Sequence, residues 1–149
     1  MVLLGKAIDV DNETRICPRL KENMISGEFL SAEDANKIIL TRDSAEKLNL
    51  KIGDALVLFA VSHKGAINAT ELILKGLFEP PFPDSNKKLG YLPLKTAQNL
   101  LLMDGMVTEI VVKKDANFDT VKLVGELRNE FAGQQLEINT WREIELIII

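Results

Sequence analysis

The sequence predicts an α+β fold, with a strand-rich subdomain over residues 1–104 and the βαβ portion of a mixed α/β subdomain over residues 105–149. Short apolar runs recur between turn residues in the first part: Val2–Ile8, Lys37–Thr41, Ala55–Ser62 and Ala69–Phe78. The second part carries a strand, helix, strand pattern within about thirty residues. At 149 residues, 46% hydrophobic and 27% charged, the chain has the composition of a folded domain or of two small subdomains, with no disordered or low-complexity stretch.

The elements follow in order. Val2–Ile8 reads as a strand, and Asp9 to Glu13 reads as a turn of residues that bond their own backbone. Pro18 suits the first turn of a short helix. Ser26 to Phe29 reads as a turn, and Ser31 to Asp34 as one helical turn started by capping. Lys37–Thr41 is a strand. Asp43 to Glu46 has capping-box spacing, Ala45, Leu48 and Leu50 supply an inward face, and the helix stops near Gly53, which offers a positive φ. Strands Ala55–Ser62 and Ala69–Phe78 are close enough for a hairpin. Three prolines between Glu79 and Asn86 forbid a helix and a central strand alike. Gly90 to Leu92 is a short strand. Pro93 opens a helix with Leu94, Ala97 and Leu101 on one face, ended by Asp104 and Gly105. Thr108 to Lys113 and Gln135 to Asn139 read as strands flanking the most periodic helix, Phe118 to Phe131, in which Val121, Val124, Leu127 and Phe131 recur.

Composition excludes several kinds of function. Net charge is −4, from 18 basic and 22 acidic residues, and no basic cluster offers a footprint for nucleic acid. One Cys and one His make an intramolecular disulfide impossible and a protein-only zinc site a poor fit. No nucleotide-binding glycine motif occurs. No run reaches the ~20 apolar residues of a membrane span, although the chain ends on an apolar stretch, Ile144 to Ile149.

Local candidates for chemistry have simpler structural readings. Ser62 and His63 are adjacent, so on a strand they face opposite ways and cannot act as nucleophile and base. Asp9, Asp11 and Glu13 resemble the start of a calcium loop, but positions six and twelve are Thr14 and Leu20. Cys17 has no nearby base and reads as an idle thiol. Glu28, Glu33 and Asp34 read as surface caps. Pro80, Pro81, Phe82 and Pro83 form a stiff loop that either presents an aromatic to a partner or folds back as a plug. Trp141 is either an interfacial anchor or a core residue. No catalytic, cofactor-binding or metal-binding residue is expected, and the chain reads as a non-enzyme.

Three ordered stretches carry a resemblance. Ile38-Ile-Leu-Thr-Arg-Asp-Ser-Ala45-Glu-Lys-Leu48-Asn-Leu-Lys-Ile-Gly53-Asp54 resembles the strand, helix and "G-D" turn in the extracytoplasmic domain of FtsX/MacB-like ABC transporter permeases. Leu74-Lys-Gly76-Leu-Phe78 resembles their "V-x-G-I-F" strand, and Tyr91-Leu-Pro93-Leu with Ala97-Gln98 their "P-L … A-Q" segment. Thr108 to Val112 is similar to the closing βαβ of that domain. Thr140-Trp141-Arg142-Glu143 is similar to the approach to its second membrane helix, and leans toward the lipoprotein-releasing type.

The resemblance implies a non-catalytic domain on the outer (periplasmic) side of the cytoplasmic membrane, part of an integral membrane protein. It implies that Gly53, Asp54, Gly76, Phe78, Pro93 and Trp141 are structural motif residues. Its implied partners are an ABC ATPase acting across the membrane, a second permease copy or homologue, and an envelope partner or lipoprotein cargo. Chaperone docking in the lipoprotein-releasing type uses a longer hairpin than the His63–Asn68 connection here. The first half of the lower subdomain is expected to precede Met1, so the βαβ unit should leave an open sheet edge. A second resemblance, of Leu48 to Leu58 to the turn-and-strand of double-psi barrels, implies an independent soluble recognition module instead.

Overall fold

A computed structural model of the chain describes residues 1–80 and 88–147, with the backbone alone for 145–147. The chain forms two compact units, Met1–Glu109 and Ile110–Ile149.

The first unit begins with β1 (Leu4–Ile8). The helix α1 (Val10–Ile16) follows at once, where the sequence reads as a turn. Asp9 is its N-cap: the carboxylate accepts a hydrogen bond from the Asn12 backbone N–H at 3.3 Å. A second short helix, α2 (Arg19–Glu22), starts behind Pro18. Then come β2 (Met24–Gly27) and β3 (Lys37–Thr41). The helix α3 (Arg42–Leu48) ends at Asn49, in the left-handed region at φ 53°, four positions before the glycine expected to stop it. Asn tolerates that conformation because its short polar side chain bonds locally. β4 (Ala55–Val61) and β5 (Ile67–Phe78) form the expected hairpin, and β6 (Leu89–Pro93) leads into α4 (Leu94–Leu101).

The six strands make one mixed sheet in the order β1-β6-β3-β5-β2, with β4 also paired to β5. β1–β6 and β3–β5 are parallel, while β3–β6, β2–β5 and β4–β5 are antiparallel. The path is open, with β1 and β2 at its ends, so no closed barrel forms among the described residues.

Helices pack on both faces of the sheet. On one side Ile39 and Phe78 pack with Val10 of α1, Leu20 of α2, Phe29 and Leu30. On the other, Ile38, Leu40, Leu72 and Leu74 pack with Ala45 of α3 and Ala97 of α4. The buried positions of α4 are Thr96, Ala97 and Leu100, next to the buried Pro93. The inner stripe is therefore Pro93, Thr96, Ala97 and Leu100, turned one residue from the expected Leu94, Ala97 and Leu101.

A β-bulge sets which side of the sheet each β5 residue reaches. The β3–β5 register steps from Ile38↔Leu74 to Ile39↔Gly76, leaving Lys75 unopposed. Four residues apart, Leu74 and Phe78 would share a face in a regular strand. The extra residue sends them to opposite clusters.

The second unit contains α5 (Thr120–Glu130), capped by Asp119, and α6 (Trp141–Ile147). The helix of the expected βαβ unit is present, but its flanking strands are not: residues 108–113 and 135–139 join no ladder. Two short parallel strands bonded only to each other are too small a sheet to stand alone. Thr140 and Glu143 instead build a capping box at the start of α6. The Thr140 N–H donates to Glu143 Oε2 at 2.6 Å, and the Glu143 N–H donates to Thr140 Oγ1 at 3.2 Å. No described residue of this unit is buried. No helix among the described residues is long and apolar enough to cross a membrane.

Candidate functional site

Four of the motif residues of the first unit, Gly53, Asp54, Gly76 and Phe78, lie on β5 or bond to it. Gly53 adopts φ 95°, a conformation open to glycine at little cost. Its N–H donates to the Leu74 carbonyl at 2.8 Å, and the Leu74 N–H donates to the Asp54 carbonyl at 2.9 Å. The Asp54 carboxylate accepts from the Lys51 N–H at 2.8 Å, closing the turn on itself. The Gly53-Asp54 turn thus clamps β5 and launches β4 beside it.

Gly76 lies where β2 pairs closely with β5, opposite Gly27. A Cβ there would stand 2.4 Å from Met24 Cε and 2.6 Å from the Glu28 carbonyl oxygen, so only glycine lets the strands meet. Phe78 is fully buried, its ring 5.2 Å from that of Tyr91 and tilted 54° to it. Burial, with the nearby Glu13 and Cys17, pushes the Tyr91 hydroxyl pKa upward. Pro93 sits at the N-cap of α4.

Beside the bulge, the Lys75 ammonium donates to Asp34 Oδ2 at 2.7 Å and lies 3.9 Å from Glu28. Burial alone would raise the Asp34 pKa. The hydrogen bonds from Lys75 and Ser31, together with the Lys75 charge, outweigh it and hold the carboxyl below its usual value. Asp34 accepts from the Ser31 N–H at 2.8 Å and so closes a turn rather than opening a helix.

The remaining candidates are held apart. Ser62 is buried and its Oγ accepts from the Ala66 N–H. His63 Nδ1 stands 3.1 Å from the Leu101 carbonyl, so that ring ties the hairpin tip to the end of α4. Cys17 is exposed. An open cleft of about 400 Å³ lies beside α4, lined by Asn68, Thr70, Thr96 and Asn99 among others. Its polar groups are partly committed: the Asn68 amide donates to the Leu100 carbonyl, and the Thr96 hydroxyl to the Ala35 carbonyl.

The partner-contact loop is described only at its start. Pro80 is half-buried, next to the Arg42–Glu79 ion pair at 3.2 Å. Pro81, Phe82 and Pro83 lie outside the described residues. Trp141 is 70% exposed, which removes the core alternative for this residue within the described chain.

Sequence reasoning missed an exposed apolar surface of the first unit. Val57, Phe59 and Val61 of β4 and Ile67 of β5 are all more than half exposed. The signal was present: Ala55 to Val61 is apolar at every position, whereas a strand with one face in water usually alternates. In the second unit, Ile110, Val112, Val121 and Trp141 are likewise more than half exposed.

No known protein family matches the chain, and no curated protein is significantly similar to it.

Proposed function

We propose that this chain is the extracytoplasmic domain of an ABC transporter permease of the FtsX/MacB-like class, leaning toward the lipoprotein-releasing type. In this role it makes and breaks no covalent bond. It captures or gates cargo, or couples motion driven by a separate ATPase to partners in the cell envelope. One observation carries the reading: the three motif stretches lie on β3–α3, β5 and β6–α4, neighbouring strands of one sheet with the helices that cover it.

The second unit adds support. Its extended flanks, its lone periodic helix and its exposed Ile110, Val112 and Val121 suit a half-subdomain that further polypeptide completes.

The test is the parent reading frame and its product. Membrane spans on both sides of this segment, external labelling of an engineered cysteine in the β4–β5 hairpin of intact cells, and co-purification of the full-length protein with an ATPase are expected. A stand-alone soluble product, or labelling only from the cytoplasm, overturns the proposal.

A further inference from the structure

Among the described residues β1, β2 and β4 each pair along one side only, and they differ in how the other edge is guarded. β1 carries Lys6, and β2 is four residues long with an irregular register. Charges, short length and bulges are the usual protection against strand addition. β4 has none of them: Ala55 to Val61 holds no charge, no proline and no bulge. Among the described residues it pairs with β5 alone.

The hydrogen-bond phase of the hairpin shows which groups are offered. The Ser62 N–H donates to the Ala66 carbonyl, and the Leu74 N–H to the Asp54 carbonyl. Even-numbered residues of β4 therefore bond to β5. The N–H and C=O groups of Ala55, Val57, Phe59 and Val61 point away, toward the free edge. The side chains of these four residues are also the exposed ones.

We propose that β4 is a homotypic docking edge, on which two copies of the chain join by antiparallel pairing about a two-fold axis at Leu58. In that register Ala55 meets Val61 of the other copy and Val57 meets Phe59. All the free backbone groups of the strand are satisfied, and no charge opposes a like charge. The pairing is isologous, as a closed dimer requires. The apolar faces of both hairpins merge into one surface, with Val61 and Ile67 already cross-strand neighbours in each copy. A second copy is favoured over a foreign strand because the sequence complements itself under this axis without adjustment. β4 pairs this way whether or not the chain belongs to a transporter.

The register supplies its own test. V57K/F59K sets lysines against each other across the axis twice, while V57K/F59E sets lysine against glutamate. In either variant the lysine introduced in place of Val57 faces Glu71 of β5 within the hairpin, a favourable pair that supports folding. Sedimentation velocity at micromolar to millimolar concentration is expected to show a dimer for the parent sequence and for V57K/F59E. For V57K/F59K the dissociation constant should rise at least about tenfold. A parent chain that stays monomeric, a dimer untouched by V57K/F59K, or equal weakening by both variants overturns the proposal. Should circular dichroism show a variant misfolded, hydrogen exchange of the parent chain decides. The Val57 and Phe59 amides gain protection as the dimer forms, and exchange unchanged by dimerisation rejects the β4 interface.

Discussion

At Gly76 the absence of one carbon decides whether β2 and the chain after it can lie close against β5. The neighbour that blocks a side chain there is partly the Glu28 backbone carbonyl, which cannot rotate away as the Met24 methyl can. G76A should therefore lower the unfolding free energy by about 1–3 kcal/mol, measured by urea denaturation. The Lys75–Asp34 pair gives a residue-scale prediction of a different kind. Both side chains are more than four-fifths buried, and the Asp34 pKa is depressed on folding. A depressed carboxylate contributes stability that is present above its unfolded value of 3.8 and is lost as pH falls through the folded value. D34N is expected to cost about 1–3 kcal/mol at pH 7, and the gap between parent and variant should narrow as pH is lowered through 4 and below. A gap that stays constant or widens with acidification contradicts this linkage.

At the scale of elements, helix ends give the sharpest expectation. α4 closes on Leu102, which sits at φ 57° and is 46% exposed. A branched side chain in the left-handed region costs about 1–2 kcal/mol that glycine avoids. L102G is expected to raise stability by up to about 1 kcal/mol, read as a higher midpoint in thermal unfolding. The same elements mark how far the sequence could be read. β3, α3 and the β4–β5 hairpin were legible because β-branched runs, caps and turn residues act within a few positions. α1 was not, because Asp9-Val-Asp-Asn serves equally as a turn or as a cap with its first helical turn, and packing of Val10 decides. The expected strands at 108–113 and 135–139 failed for a related reason: a β-branched run states a preference, while a ladder needs a neighbour. The site followed the same rule. Gly53, Asp54, Gly76 and Pro93 were visible as local motifs, whereas the β4 surface depends on which face of the β4–β5 hairpin no helix covers.

For the molecule as a whole, the two units should differ in stability. The first owns two buried clusters, and the second holds no buried residue among those described. Amide exchange across α5 is expected to be orders of magnitude faster than in β3, and limited proteolysis to cut within 110–147 while residues 1–80 stay intact. Equal protection of α5 and β3 would show that the second unit draws on support beyond its own side chains.

The bulge at Lys75 has a consequence for sequence change. Odd and even positions exchange roles there: Leu72 and Leu74 serve one layer, Phe78 the other. Deleting that single lysine would leave Leu74 and Phe78 three positions apart, on opposite faces of a regular strand, so each would keep its layer. What would go with the lysine is its ammonium contact to Asp34. The extra residue therefore serves the Asp34 turn rather than the two apolar layers, which its removal would leave in place.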